Sequence, residues 1–193
     1  MSDEGKVDME RQLIVACQNG DHEAFRQIYE IYKEKGYRLA YRFLANKEDA
    51  LDALQDSFIS AWNHLKDFEF KSTFGTWFYR IVVNTCLDRR RSRKLMAGKA
   101  HFEEEVTEPF VNESREPPAV SPRDELALKE LQEEVYQAIE KLSEEHKAVF
   151  YLRFVEDISY GKIAEILNIS EGTVMSRLFY ARKKLKEMLK NYL

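Results

Sequence analysis

Along this chain apolar residues return every three or four positions with polar residues between them, the period of helices buried on one side. A first helix over Arg11–Gln18 runs to Gly20, a fitting C-cap, and Asp21 is placed to N-cap the next. The second carries Ala24, Phe25, Ile28, Tyr29 and Tyr32, then Leu39, Ala40, Phe43 and Leu44. Asn46, with Asp49 three residues on, opens a third that holds Leu51, Leu54, Phe58 and Trp62. Ser72 or Thr73 can cap a fourth running towards Arg93.

From 96 to 123 the period dissolves into acid and proline: Glu103, Glu104, Glu105, Glu108, Glu113 and Glu116 stand among Pro109, Pro117, Pro118 and Pro122. Such a segment cannot bury enough apolar surface to offset the entropy of ordering it, and it reads as a flexible acidic linker. Order resumes where Ser121 caps, Pro122 takes the first helical position and Asp124 sits in the first turn. Leu126, Leu131, Val135, Ile139 and Leu142 mark an amphipathic helix, and Ser143 caps the next, with Val149 and Leu152 inside. Two more helices follow, Ser159–Leu167 and Glu171–Leu189. The expected fold is all-α: an N-terminal four-helix domain over 1–95, the linker over 96–123, and a C-terminal helix-turn-helix domain over 124–193.

Composition agrees with two small soluble domains: 193 residues, 44% apolar and 33% charged. The longest apolar run is a few residues, against the ~20 needed to cross a bilayer. The polar start, Met1–Asp8, does not resemble a signal peptide, so the chain is expected in the cytoplasm without membrane insertion. Cys17 and Cys86 form no CxxC pair, so neither a disulfide framework nor a zinc site is indicated and no cofactor is expected. Net charge is −4, which does not look like a partner for a polyanion. Its distribution does. Five of the six residues from Arg89 to Lys94 are basic, and a second basic cluster runs from Arg182 to Lys190.

Residues 159–178 fit a helix-turn-helix. Ile163, Ala164 and Leu167 give the first helix an inner face, Asn168, Ile169 and Ser170 make the turn, and Ser170 caps the second helix. In that helix Val174, Leu178, Ala181, Leu185 and Met188 face inward, leaving Ser176, Phe179, Tyr180 and Lys183 outward. Gly172 and Thr173 lie at its N-terminus, where free N–H groups suit a phosphate. Outward residues near such a helix start reach base edges in the major groove, and the lysines reach phosphates. A helical hairpin with a solvated basic face would carry much of the same pattern.

In the first half, the stretch from Phe68 to Arg80 is unusually aromatic and leads towards Arg89, Arg90 and Arg91. Rings beside cations suit single-stranded nucleic acid, because an unstacked base regains contact on a ring while phosphates meet the cations. Phe68, Phe70 and Lys71, in the loop, are the expected contacts, whereas Trp77 and Tyr79 read as core. Asp49, Asp52 and Asp56 share one helix face with Gln55 and Phe58. That face is either simply solvated or docks a basic partner. A metal site is disfavoured, because the acids share one helix and have no histidine partner.

In this order and spacing the two constellations resemble the extracytoplasmic-function (ECF) group of the sigma-70 family. The likeness rests on Gly20–Phe25, Glu48–Phe58 and Phe74–Asn84 in the first domain. In the second it rests on Leu142–Val149, Ser159–Leu167 and Glu171–Leu178. It implies a non-enzymatic specificity subunit of RNA polymerase, often serving a stress response. One domain would read and melt the promoter element near minus ten, and the other would read the element near minus thirty-five. By this likeness Asp49, Asp52, Gln55, Asp56 and Phe58 dock on the clamp coiled coil of core polymerase, with the flap as a further contact. Phe68, Phe70, Lys71, Ser72 and Thr73 hold a flipped base, with Arg80, Asn84, Arg89 and Arg90 near the DNA. Thr173, Met175, Ser176, Arg177, Phe179, Tyr180 and Lys183 match the major-groove contacts. An anti-sigma factor, often membrane-bound, is the expected regulator. Met175 and Tyr180 depart from the family pattern, standing where arginine or lysine is common. A transcriptional regulator binding DNA by its helix-turn-helix without polymerase is the alternative.

Overall fold

A computed structural model describes residues 3–97 and 122–192, and the expected linker falls almost wholly outside these. The chain divides into two compact units, Met1–Phe102 and Glu103–Leu193. The first contains α1 (Asp3–Gln18), α2 (His22–Leu44), α3 (Lys47–His64), a 3-10 turn (Leu65–Asp67) and α4 (Phe74–Ala97). The second contains α5 (Pro122–Glu140), α6 (Glu144–Phe154), α7 (Tyr160–Leu167), α8 (Glu171–Met188) and a closing 3-10 turn (Lys190–Tyr192). All regular structure among the described residues is helical.

In the first unit α2, α3 and α4 pack on one another and α1 lies against α2. Three helix starts follow their caps. The Asp21 carboxylate accepts from the N–H groups of Glu23 and Ala24, the Asn46 side chain from that of Asp49, and Thr73 Oγ1 from that of Thr76. Thr73, rather than Ser72, is therefore the cap of α4. Gly20 takes the left-handed φ of 91° that ends α1. The core is aromatic: Phe43, Phe74 and Phe78 are fully buried with Ile28, Leu39 and Val82. Gly36 lets α2 approach closely, since a Cβ there would stand 2.6 Å from Leu54 Cδ1 and 3.2 Å from Phe78. A mid-helix glycine costs about 1 kcal/mol against alanine, and here the space requires it.

The first helix begins at Asp3, well before Arg11. Its early turns carry little core, with Val7 69% and Met9 45% exposed, so apolar periodicity does not mark them.

In the second unit α8 packs against α6 and α7, and α5 against α8. Val149, Leu152, Ile163, Ile166, Val174, Leu178 and Ala181 form its core. Ile166 takes the inner place expected of Leu167, which is half-buried with Ala164. Ser143 holds the cap position of α6, but its hydroxyl pairs with His146 Nδ1 at 2.6 Å and makes no cap hydrogen bond. Lys147 is 1% exposed and pairs with Glu140 at 2.6 Å and Glu144 at 3.9 Å. Removing one partner of such a buried pair costs about 3–5 kcal/mol.

Candidate nucleic-acid interface

The turn before α8 is built as its sequence directs. Asn168 adopts the left-handed φ of 52° that closes α7, and Ser170 Oγ accepts from the Thr173 N–H at 3.1 Å. With Val174, Leu178, Ala181 and Leu185 inward, the outer face of α8 presents Met175, Ser176, Phe179, Tyr180 and Lys183. Phe179 is 64% and Tyr180 57% exposed. Their rings meet edge to face at 5.5 Å. Two adjacent exposed aromatics on one helix are costly to keep in water and suit contact with an apolar or π surface. Ser176 Oγ donates to Thr173 O at 3.0 Å. Thr173 is half-buried beside the Ser170 cap. Arg177 turns back onto α6 and pairs with Glu145 at 3.0 Å, its position bordering the inward stripe.

The loop between the 3-10 turn and α4 differs from its expected layout in one respect. Phe68 is only 5% exposed; it packs against Phe70, Phe74 and Trp77 at centroid distances of 5.0, 6.0 and 5.2 Å. It therefore supports the loop from below, where sequence placed it on the surface. Phe70 is half-buried, with a φ of 58°. For a bulky residue this left-handed backbone costs of order 1–3 kcal/mol and persists only where the surroundings impose it. Lys71 is exposed and pairs with Glu69, which raises the lysine pKa and lowers that of the carboxyl. Ser72 Oγ donates to Thr73 O at 3.3 Å. On α4, Asn84 is exposed and Arg80 half-buried, with Trp77 and Tyr79 also half-buried.

Arg89 and Arg90, expected near DNA, are engaged within the unit. Arg89 pairs with Asp52 at 3.7 Å and with Asp56, Arg93 pairs with Asp49, and Arg90 donates to Phe43 O at 2.5 Å. The acidic face of α3 thus lies against the basic end of α4. Sequence could not join these two faces, since their pairing spans more than thirty residues. Phe58 is 5% exposed and belongs to the core: its ring meets Tyr29 and Phe78 at 4.7 and 4.5 Å. Asp52, Gln55 and Asp56 are exposed and Asp49 half-buried.

Beside the acids, α2 and α3 form an apolar groove of roughly 610 Å³, lined by His22, Phe25, Tyr29, Leu51, Ile59 and Trp62 among others. Leu51 is 56% and Ile59 53% exposed. The sequence reading counts Leu51 and Trp62 with the buried stripe of α3, but Leu51 is exposed and Trp62 half-buried, and with Gln55 and Ile59 they form a second stripe that borders this groove. Cys17 and Cys86 are buried. Burial pushes the Cys17 thiol up to about 11, helped by Asp21, and the Cys86 thiol up to about 12. Neither has the thiolate character of a reactive cysteine.

Among the described residues no helix is long and apolar enough to cross a membrane.

Comparison with known proteins matches the model of sigma-70 region 2 to residues 28–95 and that of sigma-70 region 4 to residues 132–185. The chain is 35% identical over 186 residues to the ECF RNA polymerase sigma factor SigW of Bacillus subtilis (strain 168), covering 95% of this chain and 98% of the relative. It is 31% identical over 182 residues to the RNA polymerase sigma-H factor of Pseudomonas aeruginosa, covering 94% of each. Among solved structures, CnrH in complex with the cytosolic domain of CnrY matches in fold with a TM-score of 0.65 at 24% identity, over 95% of this chain and 98% of that one. The sigma factor RpoE of Bartonella quintana, in complex with the anti-sigma factor NepR, matches with a TM-score of 0.65 at 22% identity, over 86% of this chain and 96% of that one.

Proposed function

Since the chain belongs to the sigma-70 family, in its ECF group, we propose that it directs core RNA polymerase to specific promoters, helps open their strands and performs no catalysis of its own. The observation that carries this reading is the division of labour along one chain. An α8 face of exposed aromatics, serine and lysine suits duplex readout, and a strained aromatic loop with an exposed lysine at its tip suits an unstacked strand.

The groove between α2 and α3, bordered by Asp52, Gln55 and Asp56, suits an amphipathic basic helix. We assign it to core polymerase, with Leu51 and Ile59 as apolar anchors and the acids as the charged rim. Phe58 forms the floor of that groove. An anti-sigma factor, the class of partner bound in the RpoE–NepR complex, would act by covering the same surface. Residues 1–95 and 124–193 are the two working domains in this account, and 96–123 their tether. The minus-ten site comprises Phe70, Lys71, Ser72, Thr73, Arg80 and Asn84, with Phe68 as support. Arg89 and Arg90 reach DNA only on leaving their present partners. The minus-thirty-five site comprises Thr173, Met175, Ser176, Phe179, Tyr180 and Lys183. The place of action is the cytoplasm, where polymerase works.

Run-off transcription with purified core polymerase and a pool of genomic fragments tests the reading. Adding the chain should create transcript starts that share two short upstream elements; no chain-dependent start would refute it.

A further inference from the structure

Helix α1 lies outside the segment matched by the region 2 model, residues 28–95, yet two of its side chains reach the loop from Phe68 to Ser72. Gln18 Nε2 donates to the carbonyl oxygens of Leu65 at 3.0 Å and Phe68 at 2.9 Å, fixing the backbone that enters the loop. Arg11 precedes Gln18 by two helical turns and so shares its face of α1. Its guanidinium carbon lies 4.9 Å from the centroid of the Phe70 ring. That ring rests on Phe68, tilted 57° at 5.0 Å, and the Phe70 backbone is left-handed. Arg11 is exposed. While Arg26, Arg89 and Arg93 hold carboxylates, Arg11 meets an aromatic face.

We infer that Arg11 is a base-contacting residue: its guanidinium and the Phe70 ring are the two jaws of a clamp for one unstacked base of the melted strand. The inference rests on the reading of Phe68–Ser72 as a single-strand site. A base drawn out of its stack loses both neighbours, and a ring on one side with a guanidinium plane on the other replaces both. Arginine suits this role and lysine does not, because a planar, weakly hydrated cation stacks whereas a compact ammonium stays hydrated. The jaws differ in mobility. Phe70 is anchored by Phe68, while the long exposed arginine can lift to admit the base and then close on it.

The test uses the full chain assembled with core polymerase on a pre-melted promoter bubble from a start site mapped as above. A single abasic position is walked along the non-template strand, and affinities are measured for the wild type, Arg11→Ala and Arg11→Lys. The wild type should lose about tenfold in affinity at one abasic position. Arg11→Ala should bind the intact bubble about threefold more weakly and, with the Phe70 jaw still in place, lose only about threefold at that abasic position, with an unchanged thermal unfolding curve. Arg11→Lys should behave like alanine at that position. Either of two results overturns the clamp: Arg11→Ala as sensitive to that abasic site as the wild type, or Arg11→Lys restoring full affinity and sensitivity. If the wild type has no sensitive position while still initiating transcription, the loop reading fails and the clamp with it, and the sigma reading stands.

Discussion

On α8, Ser176 and Tyr180 stand in solvent four residues apart, while Val174 and Leu178 between and beside them are buried. That separation allows both to be changed without touching the core. Ser176→Ala with Tyr180→Ala should weaken binding of the holoenzyme to upstream-element duplex by about tenfold, in line with ~1–3 kcal/mol per good base contact. Thermal unfolding and core binding should not change; promoter choice identical to the wild type would contradict the assignment. The same helix shows where residue-level reading stops. Its inward stripe is legible from spacing, and so is the Ser170 cap. Arg177 is not, because Glu145, which holds it, comes from a different helix. Phe68 escapes sequence reading for a related reason, whereas the burial of Phe58 follows from its place in the apolar stripe of α3. An aromatic in a loop carries no sign of direction until the neighbouring rings are in place.

At the scale of elements, α3 serves two neighbours at once. One edge gives Asp49, Asp52 and Asp56 to the arginines of α4, and the other opens the apolar groove with α2. Partly exposed ion pairs of this kind contribute about 0–1 kcal/mol each, so a basic partner can replace the arginines at little cost. In the docking proposed above the groove would contribute more, since apolar contact is worth about 25 cal/mol per Å² buried. Leu51→Glu with Ile59→Glu should therefore weaken binding to core polymerase at least about tenfold. Helicity should be retained, because both side chains are more than half exposed. Binding to core at wild-type strength, measured by titration of labelled chain, would count against the groove. Capped starts and apolar stripes make α2, α3, α4 and α8 legible in the sequence. The early turns of α1 are not, because a helix that buries little carries no periodic signal. The groove is hidden because its stripe lies beside a stronger core stripe on the same helix.

The whole molecule combines two helical units whose order along the chain carries the family signature, and whose charge is sorted locally while the total stays at −4. Fold class and motif order can be read early because helical period and cap residues are local properties. Pairing between α3 and α4, and between α1 and the loop, depends on contacts distant in sequence and needs three dimensions. In the function proposed above, specificity belongs to the assembly of the chain with core polymerase. A conventional helix-turn-helix regulator would need no such help. The decisive measurement is the affinity of the full chain for one mapped promoter duplex, with and without core polymerase, at the same salt concentration. The account predicts weak, sequence-indifferent binding by the chain alone and specific binding with strand opening once core is added. Tight, specific binding by the chain alone, unchanged by core, would contradict it.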